Sequence, residues 1–311
     1  MTTFRTATAP GGGQPAGGPA TQAPPAPSPR RRGLSRRGRK RAVTVLHRFL
    51  LVVALLYFIA PFVWMVVYSV FPAHDLQREN PRLDPGDLTL SSYRRLLGQS
   101  SFLKPMLTSA MVGLLTTLIC LALGSIAAYG LARLRFRGKQ VLLLAMMSTQ
   151  AIPVIVLAVP LFIVIRTLGL FDTPAALIIT YTAFILPLVV WMMVGFFEDI
   201  PLSLEKAARI DGCGRWQILW RIAAPLAAPG LAATGVFAFI TAWSDFFLAK
   251  ILTASNATTL PVRTASFQGL FANDYTSAAT AGVITTLPVM LLALAAQRWI
   301  VRGLTEGAVK G

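Results

Sequence analysis

Six long apolar runs alternate with polar segments along the 311 residues of the chain. Each run has about 20 residues or more, which is enough for an α-helix to cross roughly 30 Å of hydrocarbon. Their apolarity is continuous rather than alternating, so they do not fit the strands of a membrane barrel, whereas a helix satisfies its own backbone hydrogen bonds in lipid. The pattern predicts an all-α membrane protein with six transmembrane helices, at 49–71, 105–132, 141–165, 173–197, 226–248 and 276–296.

The segment before the first run differs from the rest in composition. Residues 1–29 are rich in Gly, Pro, Ala and Thr, and residues 30–41 are strongly basic. Such a sequence cannot bury enough apolar surface to offset the entropy of ordering. The first run is also too long and too far from Met1 for a cleaved signal peptide. We therefore predict a disordered, polybasic cytoplasmic tail over 1–44 and a membrane domain over 45–311.

Basic residues gather in four segments that lie on one side of the membrane if there are six spans. These are the N-terminal tail, the links after the second and fourth runs, and the C-terminus. The link 133–139 carries four basic residues and no acidic one, whereas the loops on the opposite side are mixed or sparse. Because basic loops stay in the cytoplasm, we predict a multi-pass protein of the bacterial cytoplasmic membrane with both termini and the 200–221 loop inside.

Composition narrows the classes of function. Charged residues are 13% of the chain, about half the usual share of a soluble protein. The net charge of +17 is explained by basic segments beside the bilayer, and not by nucleic acid, since the aromatic residues lie within the apolar runs. The two cysteines and two histidines have no metal-ligand spacing, and no phosphate-binding loop or nucleophile elbow is present. We predict no catalytic residue, metal or cofactor in this chain, and an energy source in another subunit.

The loop between the fourth and fifth runs carries the most specific motif. Residues 205–225 resemble the cytoplasmic "EAA" loop of binding-protein-dependent ABC importers, through which a membrane subunit holds its ATPase. The positions that match the family's spacing are Ala207, Ala208, Asp211, Gly212, Ile222 and Pro225. Lys206 stands where the family has Glu, Ala224 stands where it has Leu, and Glu205 lies one residue early.

The resemblance extends from about residue 45 to the C-terminus and is to the permeases of carbohydrate importers of the maltose-transporter type. The segments that carry it are 88–93, 128–133, 243–247, 258–262 and 302–311. It implies a permease subunit that carries a sugar or oligosaccharide. It also implies four kinds of partner: a second homologous permease, two ABC ATPase subunits that bind ATP and Mg, an extracytoplasmic sugar-binding protein and the lipid bilayer.

Local sequence predicts how the motif begins and ends. Ser203 can cap a short helix over about 204–210, and Gly212 can adopt the left-handed conformation that ends it. Small side chains at Ala207 and Ala208 would give this helix a low-profile face for the ATPase. Either Lys206 or Glu205 would then supply the charged contact.

A second short helix is predicted to start at Arg215. It would carry Trp216, Leu219 and Ile222 on roughly one face, with Pro225 marking the entry to the fifth span. Together the two helices would form the docking element.

Four residues within the apolar runs are candidates to line the translocation path: Thr149, Gln150, Trp243 and Asp245. A membrane acid is functional by default, but Asp245 has the alternative of pairing with a neighbour, and the other polar side chains that of bonds within the bundle. Two other classes of protein are alternatives. An ion-coupled secondary transporter needs titratable residues at mid-bilayer, and a membrane-embedded enzyme needs paired carboxylates, a metal site or a Ser/His pair.

Overall fold

A computed structural model describes residues 36–72, 84–267 and 274–308, and within these ranges the chain is helical and has no strand. The prediction of an all-α protein is confirmed. Short 3-10 turns lie at Pro85–Asp87 and Thr149–Ala151. The helices, in chain order, are α1 (Arg36–Val70), α2 (Ser91–Leu97), α3 (Ser100–Arg133), α4 (Lys139–Ser148), α5 (Val154–Thr167), α6 (Pro174–Glu198), α7 (Leu202–Ile210), α8 (Arg215–Leu226), α9 (Ala228–Ser244), α10 (Phe247–Leu252), α11 (Leu260–Ala265) and α12 (Tyr275–Ala308).

Four of the predicted runs are single helices long and apolar enough to cross a membrane, at Val43–Val70, Ser100–Arg133, Pro174–Glu198 and Tyr275–Gln297. The third run is a bent pair instead, and the fifth run, predicted at 226–248, contains α9, which forms a second bent pair with the preceding α8. The axes of Lys139–Ala151 and α5 differ by 92°, and those of α8 and α9 by 80°. The described chain therefore has four to six spans, and the count of six stays a prediction that requires each pair to cross as one.

Both bends lie next to a proline. Pro153 separates Ala151 from the start of α5, and the preceding Ile152 has the extended φ and ψ of −75° and 120° that a following proline favours. Pro229 lies in the first turn of α9, where its missing N–H costs nothing. Each of these two prolines lies at the start of a helix. The chain therefore changes direction there, although the sequence stays apolar on both sides.

The chain forms two units, the first ending at Leu56 and the second beginning at Tyr57. In the described residues the first unit is the start of α1, whose apolar side chains from Val43 onward are exposed. Residues 36–44, which we predicted as tail, are helical, and the rest of the predicted tail lies outside the described residues.

The second unit is built around α3, α6 and α9, which approach closely through glycines. A Cβ at Gly124 of α3 would lie 2.6 Å from Cγ1 of Val189 in α6, and one at Gly230 of α9 would lie 2.3 Å from the ring of Phe196 in α6. The small residues at these positions therefore let the helices approach closely. Because α3 and α6 run in the same direction, their C-terminal ends meet, and α7 follows directly from that meeting point.

Candidate functional site

The helix α7 begins at Leu202, directly after Pro201. Pro201 is the N-cap, and no side chain bonds the free N–H groups of the first turn. Ser203 is already inside the helix, so the prediction that it caps the helix was wrong. Pro201 fixes its own φ, and the helix begins after it without a side-chain cap.

The predicted left-handed end of α7 is confirmed. Gly212 has a φ of +84°, and the N–H of Cys213 donates to the carbonyl of Ala208 across 2.9 Å. The Gly212 N–H donates to the carbonyl of Arg209 across 3.1 Å. These two hydrogen bonds form the glycine-terminated C-cap expected from the sequence. Asp211, directly before Gly212, is exposed.

The two faces of α7 differ sharply in exposure. Glu205 and Ala208, three residues apart and therefore neighbours on the helix, are 2% and 6% exposed and point into the bundle. The prediction that Ala208 faces a partner was wrong, and the buried Glu205 is not available as a charged contact. The opposite face is exposed, and its members are Ser203, Lys206, Ala207 and Ile210. We call these four residues the outer face of α7.

The helix α8 does not present the face expected from a regular α-helix. Ile218 and Leu219 are buried, whereas Trp216 is 61% exposed. The turn from Leu219 to Ala223 is a π-helix, and its extra residue per turn shifts the register between Trp216 and Ile222. The expected common face was therefore wrong. Ile222 is half-buried against the core, and Pro225 lies exposed in the last turn.

A buried polar cluster, which sequence reasoning missed, joins α7 to the end of α3. Glu205 Oε1 accepts from Nε of Arg133 at 2.5 Å, and its Oε2 accepts from the hydroxyl of Tyr129 at 3.0 Å. Nη2 of Arg133 donates to the carbonyl oxygen of Ile200 at 3.0 Å. We call Tyr129, Arg133 and Glu205 the α3–α7 cluster. The only sequence signal for it was a basic residue directly after a long apolar run.

A cleft of about 280 Å³ opens beside this cluster. Its wall includes Arg209, Arg215 and the exposed Trp216, together with apolar side chains of α3. Within the described residues neither arginine forms an ion pair. The cleft beside α7 is therefore basic and partly apolar.

The four candidate path residues do not form one site. Thr149 and Gln150 are exposed at the bend before α5, and the Gln150 amide donates to the carbonyl of Phe184 at 2.8 Å. Trp243 is 4% exposed and donates its Nε1–H to the carbonyl of Thr285 at 3.0 Å. Trp243 thus contributes to helix packing, and a role of any of these residues in the path stays a prediction.

Asp245 pairs with neighbouring groups, and its role in the path stays a prediction. Its Oδ2 accepts from the hydroxyl of Tyr181 in α6 at 2.8 Å and from the N–H of Ala249 in α10 at 3.1 Å. The carboxylate thus caps the first turn of α10 and links it to α6. No group of three or more His, Cys, Asp or Glu side chains that could hold a metal occurs in the part of the chain that the structure describes.

A second carboxylate cluster lies at the other end of α6 from α7. Asp172 has a φ of +58°, and its carboxylate accepts from the backbone N–H groups of residues 254–257 at 2.9–3.2 Å. Burial raises the pKa of this carboxyl, but the four backbone donors outweigh it and lower the pKa to about 2. The group is therefore ionised at neutral pH and ties the segment before α6 to that after α10.

Comparison with known proteins places the chain in a family. Residues 120–306 match the family described as "Binding-protein-dependent transport system inner membrane component". The trehalose transport system permease protein SugB of Mycobacterium tuberculosis is 40% identical over 82% of this chain and 93% of its own length. The trehalose/maltose transport system permease protein MalG of Thermococcus litoralis is 35% identical over 88% of this chain and 98% of its own length.

A solved structure shares the fold. A chain of a bacterial ABC transporter involved in the import of the acidic polysaccharide alginate superposes with a TM-score of 0.70, at 24% identity, over 86% of this chain and 98% of its own length. With helices that fit a multi-pass membrane protein and relatives aligned over nearly their whole length, this chain belongs to the family of binding-protein-dependent transport system inner membrane components.

Proposed function

We propose that the chain is the permease subunit of an ATP-driven importer for a sugar or oligosaccharide. The observation that carries this proposal is the family match together with relatives named for trehalose and for trehalose/maltose transport. The comparisons give no support to an ion-coupled secondary transporter. Uptake should therefore follow ATP rather than an ion gradient.

The partners follow from what this chain does not carry. Its sequence has no phosphate-binding loop, so ATP and Mg would be bound by two ATPase subunits outside this chain. A second, homologous permease would complete the membrane pathway, and an extracytoplasmic binding protein would deliver the sugar. A solved relative of the same fold is an alginate transporter "in complex with alginate pentasaccharide-bound periplasmic protein", which supports this kind of assembly.

The outer face of α7 is the surface proposed to dock the ATPase. Ala207 and Ser203 leave room for close approach, while Lys206 and the 87% exposed Ile210 offer a charge and an apolar anchor. The basic cleft beside α7 favours an acidic rim on the partner. ATP-driven closure of the two ATPases would then move α7 and shift the membrane helices between inward-facing and outward-facing states.

The test of function uses the complete complex in proteoliposomes. Labelled trehalose or maltose should enter when ATP and a sugar-binding protein are supplied, and an uncoupler of ion gradients should leave the initial rate unchanged. Uptake that needs an ion gradient and not ATP would overturn the proposal. Uptake of neither sugar would call for a panel of oligosaccharides scored by the same ATP dependence.

The docking surface has its own variants. Ala207→Trp should reduce the amount of ATPase that co-purifies with the permease, because the ring would occupy the outer face of α7. Gln140→Trp places the same ring at an exposed position in the first turn of α4 and should leave co-purification unchanged. Equal co-purification for both variants would remove α7 as the docking element.

Orientation can be tested with the native cysteines. Cys213 is half-buried directly after α7, whereas Cys120 is buried within α3. An impermeant maleimide should label the protein in inverted vesicles and not in intact cells, and Cys213→Ser should abolish the labelling. Labelling of intact cells would place the loop outside and refute the proposed topology.

A further inference from the structure

Glu205 is isolated from any partner protein by the fold of its own chain. Its side chain is 2% exposed, and the arginine that pairs with it is 8% exposed. Each carboxylate oxygen has a different donor, Nε of Arg133 for one and the hydroxyl of Tyr129 for the other. Because these two donors are four residues apart, they lie on the same face of α3, and one acidic side chain of α7 bonds both.

The cluster also includes the end of α6. Nη2 of Arg133 donates a hydrogen bond to the carbonyl oxygen of Ile200, which lies between α6 and α7. The ring of Tyr129 meets Phe197 of α6 edge to face, with centroids 5.6 Å apart and planes at 80°. Three segments therefore converge on a charge pair whose side chains are 8% and 2% exposed: the end of α3, the end of α6 and the inner face of α7.

A buried, fully bonded charge pair resists separation. Removing one partner leaves the other charge largely buried, with little access to water that could replace the bond. The two donors and the acceptor thus hold α7 to α3 in one geometry. The ion pair between Lys139 and Glu198 is different because it is exposed. Nζ of Lys139 lies 2.7 Å from Oε1 of Glu198 and joins α4 to α6, and the two side chains are 29% and 48% exposed. Water can therefore replace that contact.

We propose that Glu205 is a positioning residue that locks α7 to the C-terminal ends of α3 and α6, so that displacement of α7 moves the helix core. The inference rests on the proposed function, in which the ATPase displaces α7. It divides two adjacent residues between two tasks. Lys206 lies on the outer face and is available to the ATPase, whereas Glu205 passes the movement inward through Arg133 and Tyr129.

The experiment compares variants in the assembled complex, with ATPases and binding protein, in proteoliposomes. Glu205→Gln keeps the side-chain shape and removes the charge, and Arg133→Met removes the opposite partner. Both should retain the ATPase at the wild-type ratio while the amount of sugar transported per ATP hydrolysed falls by about five-fold or more. The double variant should be no worse than the poorer single variant, because both changes break the same link.

Controls separate this lock from a general loss of structure. Glu198→Gln breaks the exposed pair and should stay within about two-fold of the wild-type ratio of sugar to ATP. Tyr129→Phe removes only the hydroxyl donor, keeps the ring on Phe197, and should lower that ratio by about two- to three-fold. If Glu205→Gln is lost from the membrane, Tyr129→Phe decides alone.

Two results would overturn the proposal. One is a normal ratio of sugar to ATP in Glu205→Gln, or in Tyr129→Phe where that variant decides. The other is loss of ATPase co-purification in Glu205→Gln at normal membrane levels, which would make Glu205 a direct contact. The Ala207→Trp variant distinguishes a failure of the lock from a failure of the proposed docking function of α7. If it impairs docking while Glu205→Gln stays coupled, only the lock fails; if it leaves docking intact, the proposed function of α7 fails first.

Discussion

The turn after α7 offers a perturbation whose cost is set by backbone conformation alone. Gly212 has a φ of +84°, and a Cβ added there would find no atom within 4 Å. Gly212→Ala therefore introduces no clash. It penalises only the left-handed conformation, which costs a residue with a Cβ roughly 1–2 kcal/mol.

That cost can be converted into an expected loss of docking. If another turn has the same energy as the wild-type turn, half of the wild-type protein presents α7 correctly, and the added cost lowers that fraction by about 3- to 15-fold. The apparent dissociation constant for the ATPase rises by the same factor, because only the competent fraction binds. Gly212→Asn should lose less, since asparagine enters the left-handed region more readily than alanine.

The assay is titration of the purified ATPase against the permease in lipid nanodiscs. Gly214→Ala is the matched control, because Gly214 lies two residues away with a φ of −73° and a ψ of 164°, which alanine accepts. Its nearest neighbour to an added Cβ is 3.8 Å away. A Gly212→Ala affinity within two-fold of wild type, or a greater loss for Gly214→Ala, would refute the link between this turn and docking.

Three further expectations concern separate parts of the molecule. Asp172→Asn should lower the thermal unfolding temperature at pH 7. Because folding lowers the pKa of the wild-type carboxyl from 3.8 to about 2, the contribution of the carboxylate should be constant from pH 5 to 8, decline as the pH falls below about 4 and be lost below about 2. Gly230→Ala, whose Cβ would lie 2.3 Å from the Phe196 ring, should cost about 1–3 kcal/mol of unfolding free energy, whereas Gly195→Ala, with open space around it, should not destabilise in the same assay. Lys206→Glu should weaken ATPase co-purification by repulsion from an acidic partner rim, and unchanged co-purification would exclude Lys206 from the interface.

The apolar runs were predictable because length and hydropathy are local properties. The fourth run, predicted at 173–197, is the helix Pro174–Glu198, and the second, predicted at 105–132, lies within Ser100–Arg133. The bends were not predictable from proline alone. Pro187 lies inside the continuous α6, whereas Pro153 separates two helices at 92°. Neighbouring helices decide whether a proline is accommodated within a helix or ends it.

The candidate site also combines a local feature that was predictable with long-range contacts that were not. The left-handed Gly212 follows from a short local pattern and was predicted correctly. The inward direction of Glu205 depends on Arg133, 72 residues earlier in the chain, and no local pattern specifies that contact. The π turn in α8 starts at Leu219, which is buried with Ile218 in the core. A prediction that assumed regular helical spacing therefore placed Trp216 and Ile222 on one face.

The helix α6 lies between two carboxylates that serve opposite ends of the fold. Before its start, Asp172 holds the backbone of residues 254–257, and after its end, Glu205 holds the end of α3. Between them, α3 and α6 touch through Gly124 and Val189 with no room for even a methyl group. A displacement of α7 is therefore not easily absorbed along α6, because the helix is packed along its length and tied at both ends. At the bend before α5 the bond to α6 is an exposed one, from the Gln150 amide to the carbonyl of Phe184, and we expect the helices to change their relative angle there when α7 moves.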